Sequence, residues 1–203
     1  MTDPLLKYRE QHKHRLNYMP WLYWSLKPKH REWAEQWQAE YQAYLMEMET
    51  VEIGKNCFIS PLAHIFAERG RKISIGDNTF IAADCTLHGP LQIGNEVAIN
   101  HHCILDGGRA GIKLHDQVRI AAYSHLYAFD HGMDLERPIY QQAVTSKGIE
   151  IGQDVWLGAH VGIKDGVKIG DHAVIGMNSM VTKDIEKHAI VAGNPARLIR
   201  YRK

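Results

Sequence analysis

The sequence predicts a mainly β protein: a parallel β-helix of hexapeptide repeats with an N-terminal helical segment and a long inserted loop. A large aliphatic residue returns every sixth position from residue 51 onward, one break in this pattern exceeds twenty residues, and the first fifty residues show helical spacing instead. We therefore divide the chain into a helical cap (1–50), a β-helix (51–185) with an inserted loop (127–148), and a basic tail (186–203).

The eighteen hexads indicate short strands separated by sharp turns, because six is a multiple of the two-residue alternation of a strand. Three sides close one coil, so the hexads predict about six stacked coils. The residue two before each aliphatic is mostly small and should point inward with it; Cys57, Cys85 and Cys103 take this position, which favours buried apolar cysteines over redox thiols. We expect the Gly or Asn that often follows the aliphatic to turn the corner with a positive φ. The aliphatic residues are Ile53, Ile59, Ile65, Ile75, Ile81, Leu87, Ile93, Ile99, Leu105, Leu114, Ile120, Leu126, Ile151, Leu157, Ile163, Ile169, Ile175 and Val181.

The charge of the 203-residue chain is balanced, with 24 Lys and Arg against 23 Asp and Glu. This balance gives no electrostatic case for a nucleic-acid partner. No apolar run approaches the roughly 20 residues that a membrane span needs, and the first ten residues lack the apolar stretch of a signal peptide. We therefore expect a soluble, cytoplasmic protein without a membrane span.

The first fifty residues predict a cap on the open end of the β-helix. Apolar and aromatic side chains recur at helical spacing over residues 29–49, and residues 20–24 form an aromatic cluster. Such a segment can cover strand edges that would otherwise invite aggregation. An alternative is that it helps to shape an acceptor pocket or a subunit contact.

Breaks in the repeat are where we expect function, since loops on a regular scaffold carry most binding and catalytic residues. Short breaks fall at 68–71 and 106–109, and the long one follows Leu126. The aromatic and apolar residues of the long loop indicate that it packs on something, such as a neighbouring subunit.

Three runs near the C-terminal end carry a family resemblance: Ile151–His160, Val174–Ile185 and Ala192–Arg200. They resemble the hexapeptide-repeat acyltransferases, in particular the galactoside and maltose O-acetyltransferase branch. The resemblance implies a left-handed coil and a homotrimer with active sites between subunits. It also implies acetyl-CoA as the acyl donor, released as coenzyme A, and no required metal. The first fifty residues depart from that branch, so the acceptor stays open.

The resemblance also implies roles for individual residues. His131, at the start of the long loop, matches the family's histidine base. Asp130, Glu150 and Asp106 are all open as the carboxylate that orients its ring. The acceptor side is implied at Asn100, Asp106 and Trp156, and the coenzyme side at Ala159, Met177, Thr182, Lys183, Arg197 and Arg200.

Acyl transfer to a hydroxyl needs a base with a pKa near neutrality, for which histidine is suited. The resemblance and this chemistry together predict an acyl-CoA-dependent O-acyltransferase, most simply an acetyltransferase, that acts on a sugar or glycan-precursor hydroxyl by direct transfer to a small-molecule or glycan acceptor. Alternatives are an N-acetyltransferase acting on an amino sugar or xenobiotic, and a non-enzymatic scaffold. A γ-type carbonic anhydrase is a further alternative, with zinc held by His125, His131 and His160 across a subunit interface.

Overall fold

The structure, a computed structural model, describes residues 5–203, so residues 1–4 of the predicted cap lie outside the described residues. Three sheets form the faces of a parallel β-helix with six coils, which confirms the fold predicted from the hexads. The first face comprises β1 (Val51–Ile53), β4 (Ile73–Ile75), β7 (Leu91–Ile93), β10 (Ile112–Leu114), β13 (Ile149–Ile151) and β16 (Lys168–Ile169). The second comprises β2 (Phe58–Ile59), β5 (Phe80–Ile81), β8 (Ala98–Ile99), β11 (Arg119–Ile120), β14 (Trp156–Leu157) and β17 (Val174–Ile175), extended by β19 (Ala189–Ala192) and β20 (Arg197–Tyr201). The third comprises β3 (His64–Phe66), β6 (Thr86–His88), β9 (Ile104–Asp106), β12 (His125–Tyr127), β15 (Gly162–Ile163) and β18 (Met180–Val181).

The core is a set of aliphatic columns that run along the helix axis. On the first face, for example, Ile75 pairs in register with Ile53 on one side and Ile93 on the other. Each buried Ile or Leu contributes roughly 1.5–3 kcal/mol of transfer free energy, so the columns dominate the stability of the fold. The three cysteines are buried among them as predicted. Burial raises the pKa of Cys57, and a hydrogen bond with Cys103 together with burial raises that of Cys85.

The corner prediction is wrong in one respect. Gly54 and Gly158, which directly follow aliphatic residues, are not among the residues with positive φ. The left-handed conformation falls two residues later, for example at Asn56 (φ 55°) and His160 (φ 57°). At Gly158 the glycine provides space instead, because a Cβ there would lie 2.6 Å from the backbone nitrogen of Met177 in the next coil.

The N-terminal segment forms α1 (Leu6–Tyr18), a 3₁₀ helix (Pro20–Ser25) and α2 (Pro28–Met48). The predicted 29–49 helix is therefore confirmed to within one residue at each end. The side-chain amide of Gln38 accepts a hydrogen bond from the backbone nitrogen of Ile59 (2.8 Å) in the first coil and donates one to its backbone oxygen (3.1 Å). This contact satisfies an exposed strand edge, as a cap requires.

The segment also packs along the second face beyond the first coil. Leu16 and Tyr23 lie in one apolar cluster with Phe58, Phe80 and Ala98, which come from three successive coils. Within residues 5–203, neither α-helix combines the length and apolar character that crossing a membrane requires. The cytoplasmic location stays a prediction.

Candidate active site

The long loop, residues 128–148, is a folded unit anchored at its base. Asp130 and Thr145 exchange backbone hydrogen bonds of 2.9 Å in each direction. The Ser146 hydroxyl donates to the oxygen of Ala128 (2.5 Å) and accepts from the nitrogen of Arg109 (3.0 Å). These contacts fix where the chain leaves and rejoins the third and first faces, and so fix the start of the loop that carries His131.

The loop's outer half is organised by one side chain and exposes apolar groups. The Gln142 amide donates to the oxygens of Asp134 and Arg137, both at 2.8 Å, and accepts from the Asp134 nitrogen at 2.9 Å. Leu135 and Tyr140 are nevertheless 103% and 82% exposed. Apolar side chains displayed on a well-ordered loop are typical of a surface that another protein surface covers.

His131 presents an exposed ring at the base of this loop. The ring stands edge-on to Phe129, with centroids 6.2 Å apart. Within residues 5–203 no side chain or backbone group hydrogen-bonds the imidazole. Neighbouring Asp130 points elsewhere and pairs with Lys164 at 3.3 Å. The imidazole is thus exposed and makes no hydrogen bond within the described residues.

The structure brings none of the three candidate carboxylates onto the His131 ring. Asp130 pairs with Lys164, as stated above, and Glu150 accepts from the His115 ring at 3.0 Å. Asp106 accepts from the backbone nitrogen of Gly108 at 3.0 Å and lies 3.4 Å from the His88 ring. The hydrogen bond with His115 and the charge of Lys168 lower the pKa of Glu150. The ionised carboxylate therefore pairs with His115 and not with His131.

Asp106 belongs to a charged cluster that the sequence analysis missed. His88 lies between two carboxylates, with Nδ1 3.4 Å from Asp106 and Nε2 3.2 Å from Glu68. Arg71 is 3.2 Å from Glu68 and 3.7 Å from Asp106. A hydrogen bond from its own backbone and the hydrogen bond with His88 lower the pKa of Glu68. The signal was present in the repeat, because His88 and Asp106 each directly follow an aliphatic residue of the third face and lie in register.

This cluster lines a cavity of about 540 Å³ next to the loop base. Phe129 forms part of the same wall, two residues before His131. The cavity therefore joins the predicted acceptor residue Asp106 to the segment that carries the predicted base. The charged groups of this wall could donate hydrogen bonds to a substrate hydroxyl and accept hydrogen bonds from it.

Three of the other predicted residues lie on the opposite edge of the third face. Asn100, Ala159 and Met177 occupy turns between the second and third faces, in the third, fifth and sixth coils. The amide of Asn100 donates to the oxygen of Ile120 at 2.9 Å. Trp156 is 54% exposed on the second face nearby, and Met177 is 63% exposed. These side chains form an accessible strip along this edge, as a donor groove would.

A second cavity, of about 360 Å³, lies at the C-terminal end of the β-helix. Thr182, Lys183 and Arg197 line it, whereas Arg200 does not. Within the described chain, neither Lys183 nor Arg197 forms an ion pair with a carboxylate. Asp184 and Glu186 line the same cavity, so its wall carries both signs of charge, and the two cations that form no ion pair suit the phosphates of a coenzyme A donor.

The matches to known proteins concern this same scaffold. Residues 148–183 match the bacterial transferase hexapeptide (six repeats) family. The chain is 30% identical over 165 residues to the galactoside O-acetyltransferase of Escherichia coli K12, an alignment that covers 80% of this chain and 70% of that protein. The chain belongs to the hexapeptide-repeat acyltransferase family.

Solved structures agree with that membership. AntD, an N-acyltransferase from Bacillus cereus in complex with dTDP and coenzyme A, superposes with a TM-score of 0.71 at 30% identity, covering 80% of this chain and 89% of AntD. A hexapeptide-repeat containing acetyltransferase from Vibrio cholerae superposes with a TM-score of 0.57 at 26% identity, over 100% of this chain and 95% of that one. The names of these relatives agree with the predicted enzyme class, and coenzyme A is bound in the AntD structure.

The extent of the matches varies among relatives. The chain spans 44% and 58% of the length of two further acetyltransferase relatives that it matches.

Proposed function

We propose that this hexapeptide-repeat protein is an acyl-CoA-dependent O-acyltransferase. It transfers an acetyl group to a hydroxyl of a sugar or glycan precursor, with His131 as the general base. The observation that carries the proposal is the exposed His131 imidazole, which has no hydrogen-bond partner within residues 5–203 and lies at the base of a loop beside the Asp106 cavity. The likeness to a galactoside O-acetyltransferase favours a sugar hydroxyl as acceptor.

The chemistry assigned to the chain is proton transfer and positioning. The donor supplies a thioester carbonyl as the electrophile. The His131 imidazole accepts the proton of the acceptor hydroxyl while that oxygen forms the new C–O bond, and the imidazolium then protonates the sulfur as the C–S bond breaks. One such base contributes about 10²–10⁴-fold to the rate. Orientation of the two substrates and hydrogen bonds to the developing oxyanion supply the remainder.

The donor is proposed to lie along the edge between the second and third faces. Ala159 and Met177 line its pantetheine arm, while Thr182, Lys183 and Arg197 receive its phosphates at the terminal cavity. Arg200, on β20, adds positive charge just outside that cavity. Trp156 and Asn100 border the same strip nearer the acceptor.

We propose a homotrimer because one chain does not bring its two sets of residues together. His131 and Asp106 lie on one edge of the third face, and Asn100, Ala159 and Met177 lie on the other. When copies pack around a three-fold axis, the loop edge of one copy meets the donor edge of the next. The exposed apolar tip of the loop then becomes buried against the neighbouring subunit.

A thiol-release assay with acetyl-CoA tests the function. The acceptor panel contains simple galactosides, amino-sugar nucleotides and an aromatic amine or alcohol xenobiotic. Transfer to the galactosides supports the proposal, and transfer confined to amines replaces it with N-acylation, the activity named for AntD. His131→Ala is expected to abolish turnover.

The matched control is His125→Ala, which removes an exposed imidazole from β12, six residues earlier. We expect this variant to keep its activity. Equal loss in both variants, together with stoichiometric zinc in the purified protein, would contradict the transferase and favour the anhydrase alternative.

A further inference from the structure

The N-terminal segment concentrates positive charge in a protein whose formal net charge is only +1. Residues 5–31 contain seven Lys or Arg side chains but only one carboxylate, Glu10. Such an asymmetry is a local electrostatic feature that the bulk composition conceals. The acyl-transfer account uses none of these residues.

Part of this charge lines a cavity of about 360 Å³ where α1, the 3₁₀ helix and α2 meet. We call it the basic cavity. Its volume lies within the range of small-ligand sites. Apolar side chains from α1 and the 3₁₀ helix form part of the wall, and the cationic side chains of Arg15, Lys27 and Lys29 are exposed. The lining residues are His12, Arg15, Leu16, Leu22, Ser25, Leu26, Lys27, Lys29 and His30.

No carboxylate neutralises the basic cavity. Asp and Glu are absent from its lining, and within residues 5–203 no acidic group lies within ion-pair distance of Arg15, Lys27 or Lys29. Glu10, the one acid of residues 5–31, is paired with Lys13 at 3.0 Å. Like charges gathered around a cavity repel one another unless an anion enters it.

The imidazoles of His12 and His30 lie in the same region of positive electrostatic potential. Their ring centroids are 4.6 Å apart, and the Trp33 indole nitrogen lies 3.5 Å from Nδ1 of His30. Burial lowers the pKa of His12, and so do His30, Arg15 and Lys29, in that order. His12 therefore lies in a site that resists further positive charge until an anion is present.

The start of α2 adds to this preference. Lys27 is the N-cap residue, no side chain caps the helix, and its first turn contains no acidic residue. A helix N-terminus carries partial positive charge, so a cation there is destabilising and a negative group is stabilising. Placing Lys27, Lys29 and His30 here is unfavourable for the chain by itself but favourable for binding an anion.

We propose that the basic cavity binds a phosphate or diphosphate group. Arg15 supplies a planar guanidinium for bidentate contact, and Lys27 and Lys29 supply point charges. The group belongs either to a free phosphorylated compound or to a lipid headgroup, since both present the same oxygens. This inference does not depend on the acyltransferase activity, because the cavity shares no residue with the proposed catalytic or coenzyme sites.

Calorimetric titration with sodium pyrophosphate tests the proposal. The full chain is first saturated with coenzyme A, which occupies the terminal phosphate-binding residues. We expect wild type to bind pyrophosphate, and Arg15→Ala/Lys29→Ala to bind it at least about tenfold more weakly, because two charge-assisted contacts are lost. Lys7→Ala/Lys55→Ala is the matched control, since it removes the same formal charge outside the cavity and should leave binding unchanged.

A second arm distinguishes the two sources of phosphate. The same proteins are sedimented with vesicles of phosphatidylcholine containing phosphatidic acid. Vesicle binding that the cavity variant loses and the control variant keeps indicates a lipid headgroup, and binding of pyrophosphate alone indicates a soluble ligand. The proposal is overturned if wild type binds neither probe, or if the control variant loses binding as much as the cavity variant does.

Discussion

Asn100 and Asp106 lie at opposite ends of the third face in the same coil. Asn100 precedes β9, in the turn from the second face, and Asp106 is the last residue of β9. Six residues separate them, and an extended chain spans at most about 3.3–3.6 Å per residue, or roughly 20 Å. Two residues predicted to face one acceptor thus occupy opposite edges of one face, which makes contact with a second copy the central question.

The coenzyme site predicts a selective effect on donor binding. Lys183→Ala/Arg197→Ala removes two cations from the terminal cavity, and we expect the KM for acetyl-CoA to rise about tenfold or more with kcat little changed, because these contacts are made equally in the ground and transition states. Coenzyme A should also stabilise this variant less in thermal unfolding, since the stabilisation follows RT ln(1 + [L]/Kd). Lys55→Ala, an exposed cation of the first coil, is the control.

The spacing between coils predicts that Gly158→Ala destabilises the protein. The added Cβ would lie 2.6 Å from the backbone nitrogen of Met177, and backbone cannot yield as a flexible side chain can. We expect a loss of about 1–3 kcal/mol in the free energy of unfolding, measured by urea denaturation. Ala121→Gly alters the equivalent residue of the preceding coil and should cost less than about 1 kcal/mol. Equal stability of Gly158→Ala and wild type would contradict this packing.

The C-terminal strand predicts a pH-dependent contribution to stability. Asp154 accepts from the His172 ring at 3.0 Å and from Arg202 at 3.0 Å, which ties the end of β20 to the coils. The His172 hydrogen bond and Arg202 lower the pKa of Asp154, so its contribution is present above its unfolded pKa of about 3.9 and is lost as pH falls through the lower folded value.

Asp154→Asn should therefore be less stable than wild type at pH 7, by less than about 1 kcal/mol because the pair is partly exposed. The difference should shrink in acid as the pH falls below the unfolded value of about 3.9. Chemical denaturation of both proteins across this range measures it. A difference that grows as the solution becomes more acidic would have the wrong sign for this account.

Chelation separates the transferase from the metal alternative. Within residues 5–203 no group of three His, Cys, Asp or Glu side chains is arranged to hold a metal ion. We expect prolonged dialysis against EDTA to leave acetyl transfer within about twofold of its initial rate, since a histidine base needs no Lewis acid. Activity lost to EDTA and restored by zinc would contradict the His131 mechanism.

The repeat made most of the fold predictable because each hexad reports its own inward residues. The columns that include Ile75 and Ile93, and the burial of Cys85, followed from period alone. The corner geometry did not follow from the period. The need for Gly158 arises from the backbone of Met177, nineteen residues later in the next coil, and the pattern of one coil does not contain that contact.

The site was less predictable for a related reason. The loop was identifiable from the break in the pattern and His131 was predicted from the family resemblance, but the ion pairs that occupy Asp130 and Glu150 arise from Lys164 and His115 on other coils. His88 beside Asp106 could have been found by aligning the residues that follow each third-face aliphatic. Whether His131 meets the donor edge depends on packing between chains, which a hydrophobic pattern within one chain does not encode.

Intersubunit complementation tests the central claim most directly. His131→Ala disables the loop edge, and Ala159→Glu places a carboxylate on the donor edge; each variant alone should be inactive. After the two are denatured together and refolded at equal ratio, about a quarter of the sites in cyclic trimers join an intact loop edge to an intact donor edge. We predict recovery of about a quarter of wild-type acetyl transfer. No recovery in mixed trimers of confirmed composition would contradict active sites shared between subunits.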